Sequence, residues 1–295
     1  MPEGPFVKPW MRLIRVHQWA KNGLLILPAA AAHLMPTADR IVALGTAVIS
    51  FSFLASALYI LNDLADLEHD RAHATKRHRP LASGAIRPVP ALALMAVLGT
   101  TSLGLALSLP ASFLAAWAVY LVLSVSYSWS FKRVVVLDVV ALSALYTVRV
   151  VAGSAAVDVP LSRWFLAFSV FLFVSLALLK RTVEVGGART AGKEDIPGRG
   201  WKSADISLLQ NLGVGSAVTS ALVYCLYITD PQATELYRRP DILWIGLPIF
   251  FYWVGRIWLL TGRGQVHEDP VVFALRDRVS YVVVLLLAVV VVVAS

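Results

Sequence analysis

Apolar runs close to 20 residues long recur along the chain, each closed by a short polar stretch. They fall near 22–35, 41–61, 88–109, 111–128, 134–157, 163–180, 207–228, 241–261 and 279–294. The runs are continuous and lack the alternation of a transmembrane β-strand, so the pattern predicts helices long enough to cross a bilayer. The expectation is an all-α, polytopic membrane protein with nine transmembrane helices. Pro110 divides what would otherwise be one long run, because a proline disfavours continuation of the helix before it.

Composition agrees: 58% of residues are hydrophobic and only 15% charged, against about 25% charged in a soluble domain. The formal net charge of +8 is read as loop charge and orientation, with no nucleic-acid partner. With the N-terminus and the 62–87, 129–133, 180–206 and 256–278 loops on one side, that side carries 21 Lys and Arg and the other only 4. This bias predicts a cytoplasmic location for the polar loops of an inner-membrane, multi-pass protein. Residues 1–21 mix Lys8, Arg12, Arg15 and Lys21 with Trp10, Leu13, Ile14 and Trp19. They lack the apolar core and cleavage site of a signal peptide and predict an interfacial helix. The single cysteine, Cys225, excludes a disulfide framework.

The chemistry concentrates in Asn62-Asp63-Leu64-Ala65-Asp66-Leu67-Glu68-His69-Asp70. If the helix of the second run continues through it, Asp63, Asp66 and Asp70 lie within roughly 60° of one another, with Asn62 beside them. Three carboxylates on one face repel, and a hard divalent cation relieves the repulsion. Arg71, Lys76, Arg77 and Arg79 follow, enough positive charge to hold phosphate oxygens. The pattern predicts a Mg²⁺–diphosphate site, with Asp63, Asp66 and Asp70 as metal ligands. His73 and His78 lack zinc-site spacing and read as solvated loop residues.

Other polar positions carry two readings each. Lys21 and Asn22 are either an interface anchor beside Trp19 or a phosphate contact. Tyr127 and Lys132 lie in a third polar loop, and Asp138, Tyr146 and Arg149 follow in the fifth run. Asp138 and Arg149 are about three helical turns apart and share a face. Arg149, inside a span, faces either a cavity or a carboxylate partner. Lys180, Arg181 and Glu184 end the sixth run, and the segments that follow, including His267-Glu268-Asp269-Pro270, are either lids or connectors. No nucleophile elbow, P-loop, dinucleotide fingerprint or zinc-protease motif is present.

Asn62–Asp70 with Arg79-Pro80-Leu81-Ala82-Ser83-Gly84 resembles the first aspartate motif of the UbiA superfamily of membrane prenyltransferases. Within it the chain is similar to the decaprenyl-phosphate phosphoribosyltransferases. That narrower resemblance rests on His17–Asn22, Tyr127-Ser128 with Lys132 and Asp138, Arg149–Gly153, Lys180-Arg181 with Glu184, and Asp269-Pro270 with Asp277. It implies a single UbiA-like transmembrane domain over 1–295 with a polar cavity on the cytoplasmic side. It also implies transfer of 5-phosphoribose from phosphoribosyl diphosphate (PRPP) to a polyprenyl phosphate. Ordinary members bind a second Mg²⁺ through a second aspartate cluster after the sixth span. Here that place holds Lys180, Arg181 and Glu184, which suggests a phosphate instead. The implied roles are Mg²⁺ on Asp63, Asp66 and Asp70, with Asn62 orienting a ligand or the ribose. Arg77, Arg79 and Lys132 would sit on phosphate oxygens, Lys180 and Arg181 on the 5-phosphate, and Lys21 and Arg149 on the acceptor phosphate. Two rival functions stay open. One is an ordinary prenyl transfer from a prenyl diphosphate; the other is a secondary transporter, which the one-sided charge disfavours. Chain length of the lipid and formation of a homo-oligomer are not specified by these residues.

Overall fold

Helix starts follow local capping chemistry. The computed structural model describes residues 7–32, 36–72, 76–192, 194, 196, 198–231, 235–266, 269–274 and 276–295; His73, His267 and Glu268 lie outside them. Helix α1 (Ala38–Ala65) begins where the Thr37 hydroxyl accepts the Arg40 N–H at 3.4 Å. Helix α2 (Pro88–Leu107) starts on a proline, whose missing N–H is no loss in the first turn. Helix α3 (Ala111–Trp129) follows Pro110 directly. Next come α4 (Leu137–Ala156), α5 (Arg163–Thr190), α6 (Ile206–Thr229), α7 (Gly246–Gly262) and α8 (Arg278–Ala294). No strand occurs among the described residues.

The chain divides into two compact units. One comprises Met1–Ser128 with Val148–Pro160, the other Trp129–Thr147 with Leu161–Ser295. Helix α4 therefore gives its first half to the second unit and its last turns to the first. In the first unit α1 packs along α2. Small polar residues tie this pair: the Ser50 hydroxyl donates to the Ser102 carbonyl at 2.9 Å, and the Ser102 hydroxyl to the Ser50 carbonyl at 2.7 Å. The Trp117 indole of α3 adds a bond to Ser102 Oγ at 2.9 Å. Between apolar helices in lipid, such close contacts replace the hydrophobic drive that water supplies elsewhere. In the second unit α5 packs along α6. Gly213 of α6 lies so close to the Trp258 ring that a Cβ there would meet it at 2.2 Å. The same indole donates to Ser175 Oγ at 3.0 Å.

The exposed large side chains are those a bilayer requires: Val122 and Leu107 in the first unit, Val284, Leu285 and Val292 in the second, all more than 60% exposed. Among the described residues, seven helical segments are long and apolar enough to span a membrane, so the protein is a multi-pass membrane protein. Nine were expected, and the two shortfalls have distinct causes. The last, α8, is apolar but only 17 residues long, whereas α7, of equal length, is extended to a 23-residue span by the 3-10 turn Pro240–Ile245 before it. The first, expected at 22–35, is no single helix: a 3-10 segment Val16–Ile26 runs into the five-residue helix Leu27–Ala31, with Pro28 at the joint. Its buried Lys21 and Asn22 pack against the first unit and do not continue an apolar run.

The described N-terminal residues are tied to the first unit by packing and hydrogen bonding. The helix Val7–Leu13 is short, and Leu13 is fully buried with Ile60, Leu81 and Ile86. Trp19 donates its indole N–H to Ser56 Oγ at 2.9 Å, which ties this segment to α1.

Candidate active site

Asn62–Asp70 does not run as one straight helix. Helix α1 stops at Ala65, Asp66 caps it with φ −95° and ψ 10°, and a second helix, Leu67–Ala72, follows. The ladder is nearly continuous, since Asp66 N–H bonds the Asn62 carbonyl at 2.9 Å and Asp70 N–H the Asp66 carbonyl at 2.8 Å. The bend turns Asp63 and Asp70 inward and leaves Asp66 half-buried. Asp63 and Asp70 are 3% and 2% exposed. Arg79 bridges them: one guanidinium nitrogen lies 3.1 Å from Asp63 Oδ1 and 2.7 Å from Asp70 Oδ2. Arg15 reaches the same Asp63 oxygen at 2.6 Å. Asn62 donates its amide to Ser128 Oγ at 3.1 Å. Among the described residues, no three His, Cys, Asp or Glu side chains gather closely enough to hold a metal ion by themselves. What the bend creates is a pair of hard oxygen donors already spanned by a cation.

A second polar cluster in the same unit surrounds Arg149. Its Nε donates to Asn22 Oδ1 at 2.9 Å and an Nη to the Tyr120 hydroxyl at 2.8 Å. Its guanidinium carbon also lies 4.6 Å from the Tyr120 ring centroid. The Asn22 amide donates in turn to Ser52 Oγ at 2.9 Å. A glycine makes this possible: a Cβ on Gly153 would meet the Leu25 carbonyl oxygen at 1.9 Å, so only glycine admits the 16–26 segment here. Gly153 is one turn beyond Arg149, and Leu25 about one 3-10 turn beyond Asn22, so the close approach sets the register of the pair. Lys21 is buried beside Asn22, Tyr127 is half-buried near the end of α3, and Arg77 is exposed in the Lys76–His78 turn.

In the second unit the predicted residues form two further groups. Lys180 lies 3.1 Å from Asp269 Oδ2, and the Tyr146 hydroxyl donates to the same carboxylate at 3.3 Å. Arg181 is fully buried. Its Nε lies 2.7 Å from Asp138 Oδ2, close but off the N–H axis, and its Nη1 pairs with Glu184. The Trp201 indole donates to Asp138 Oδ1 at 3.0 Å, and Arg199 approaches Glu184 at 3.5 Å. Lys132 is half-buried in the Phe131–Arg133 turn. Arg181 thus spends its charge on two carboxylates of its own unit, while Lys180 is held through one.

The linear pattern does not mark Arg15, Ser52, Tyr120, Arg199 or Trp201 as partners of these groups. Arg15 stood among interface cations, and nothing local marked it. Trp201 follows Gly200, where a Cβ would meet the Arg133 carbonyl at 2.7 Å. A Gly-Trp pair in a polar loop was the one signal for it.

A model of the UbiA prenyltransferase family matches residues 24–276. An uncharacterized protein, y4nM, of Sinorhizobium fredii is 39% identical over 96% of this chain, which spans only 55% of that protein's length. The decaprenyl-phosphate phosphoribosyltransferase of Mycobacterium tuberculosis is 34% identical, covering 94% of this chain and 91% of that enzyme. A UbiA homolog from Archaeoglobus fulgidus, solved with DMAPP and Mg2+ bound, superimposes with a TM-score of 0.69. It is 16% identical, with 95% of this chain and 96% of that one aligned. The family match spans most of the sequence, the M. tuberculosis enzyme aligns nearly end to end, and the fold is that of the archaeal homolog; the chain belongs to the UbiA prenyltransferase family.

Proposed function

We propose that this protein transfers 5-phosphoribose from PRPP to a polyprenyl phosphate, of the decaprenyl class, with release of diphosphate. The observation that carries the proposal is Lys180, a half-buried cation paired with Asp269, whose carboxylate also accepts the Tyr146 hydroxyl. It lies where the family resemblance implies a second acidic cluster. A cation there suits the 5-phosphate of a sugar donor and does not suit a second metal. The 34% identity to the M. tuberculosis enzyme supports the same choice.

The paired oxygen donors of Asp63 and Asp70 fit a Mg²⁺ that takes its remaining ligands from substrate phosphate and water, with the half-buried Asp66 as the third ligand the resemblance implies, and the bridging of the pair by Arg79 marks a place built to accept positive charge. Bound there, the ion would neutralise charge on the leaving diphosphate. Asn62 orients the donor, and Arg77, Arg79 and Lys132 hold phosphate oxygens. Arg181, engaged with Asp138 and Glu184, keeps the α5 end in place so that Lys180 can take the 5-phosphate. The Arg149–Asn22 cluster, with Lys21, receives the acceptor phosphate. That acceptor is already anionic, so no base has to remove a proton before it attacks C1. Rate enhancement comes from alignment and charge neutralisation. The lipid tail lies in the bilayer, and the reaction takes place on the cytoplasmic side of the plasma membrane.

A second reading, prenyl transfer from a prenyl diphosphate, shares the first acidic motif and is favoured by the fold shared with the DMAPP-bound archaeal homolog. Radiolabelled PRPP, membranes and a polyprenyl phosphate, with and without chelator, separate the two. The expected result is chelator-sensitive labelling of lipid that Asp63→Asn abolishes while the protein remains folded and extractable. Consumption of prenyl diphosphate with no PRPP turnover would select the second reading instead.

A further inference from the structure

We infer that Arg15 is a positioning residue that makes metal binding at Asp63 depend on the anionic substrate. The inference rests on the metal–diphosphate reading above and extends it to a residue outside the aspartate motif. Asp63 Oδ1 receives two guanidinium groups at once, Arg15 at 2.6 Å and Arg79 at 3.1 Å, and Arg79 extends to Asp70 at 2.7 Å. Without substrate, the two buried carboxylates are therefore already neutralised from within the chain. A metal arriving alone has to displace a cation that is tethered and close. An arriving diphosphate changes this, because it offers the arginines a competing partner and releases carboxylate oxygen for the metal.

Arg15 is built for that exchange. Its backbone adopts φ 52° and ψ 49°, the left-handed region that non-glycine residues occupy only when the surroundings impose it. This turn, between the helix Val7–Leu13 and the segment Val16–Ile26, sends the side chain back toward α1. The guanidinium carbon lies 4.6 Å from the centre of the Tyr59 ring, one turn before Asp63. Yet the side chain keeps 24% of its surface, against 3% for Asp63. It is held at the carboxylate while remaining accessible to an incoming anion.

The test titrates Mn²⁺, a substitute for Mg²⁺, into the purified full chain without substrate, following free Mn²⁺ by electron paramagnetic resonance. Arg15→Gln is expected to bind Mn²⁺ at least about fivefold more tightly than wild type, the lower end of ordinary coupling between sites. Arg15→Lys, which keeps the charge, should stay near wild type. Tyr59→Leu, which removes the ring that holds the guanidinium, should shift affinity in the same direction as Arg15→Gln. A merely structural role would loosen the site and weaken binding. Equal or weaker binding in both Arg15→Gln and Tyr59→Leu, with binding lost in Asp63→Asn, overturns the role of Arg15 alone. Unchanged binding in Asp63→Asn overturns the metal assignment and this inference with it.

Discussion

Asp277 illustrates how much one side chain settles at the end of an apolar helix. It caps α8 by accepting the Ser280 N–H at 2.9 Å, and Arg256 pairs with both its oxygens at 2.7 and 3.1 Å. Burial pushes the carboxyl up, but hydrogen bonds from Arg256 and from the side chain and backbone of Ser280 outweigh it and hold the group below its usual range. A depressed folded pKa contributes stability that is complete above the unfolded value and lost as pH falls through the folded one. Asp277→Asn should therefore cost about 1–2 kcal/mol at neutral pH. The gap in thermal unfolding between the two proteins should stay constant from about pH 5 to 8 and close below about pH 4. A gap that widens on acidification would contradict the assignment. The same scale shows where legibility in the chain ends. The pairing of Asp63 with Asp70 was readable because neighbours on a helix report their own relative angles; the break at Asp66 was not. Arg15, 48 residues before Asp63, was not, because its charge matters only where the fold delivers it.

Between elements, close approach decides more than hydrophobicity does. The 3-10 segment Val16–Ile26 can lie on α4 only because Gly153 has no side chain where the Leu25 carbonyl sits. Gly153→Ala is expected to destabilise by about 1–3 kcal/mol through overpacking and to lower turnover by shifting Asn22 away from Arg149. Gly104→Ala serves as the contrast. It lies in α2 with nothing within 4 Å of a Cβ, and an alanine there should be neutral or stabilising by about 0.5–1 kcal/mol. Thermal unfolding in detergent measures both, and similar behaviour of the two variants would refute the packing argument. The apolar pattern located α1 through α7 well, since each is a long run bounded by proline, glycine or charge. It did not foresee the change within 22–32, where a 3-10 segment gives way to a short α-helix with Pro28 in its first turn.

At the scale of the molecule, the excess of Lys and Arg on one set of loops predicts that those loops face the cytoplasm, the side that retains positive charge. In a Cys225→Ser background, Arg71→Cys should react with a membrane-impermeant thiol reagent only when the cytoplasmic face is open. Arg238→Cys should react from the opposite face. Arg71 and Arg238 are both exposed, so labelling reports sidedness and not burial. Reaction of both from one side would reverse or break the proposed topology.

Membrane residence, helical class, the positions of α1 to α7 and the presence of the acidic motif were determined along the chain. Each depends on composition or on neighbours a few residues apart, where a fixed rise and rotation per residue make spacing equivalent to geometry. Only tertiary structure decided which polar groups meet: Arg15 and Arg79 on Asp63, Arg149 on Asn22, Arg181 on Asp138, Lys180 on Asp269. These pairs, the i+16 contact of Arg79 aside, join residues more than 40 positions apart, and no local periodicity encodes such a distance. Burial away from water makes each of them consequential, because a charge without its partner in that setting costs several kcal/mol.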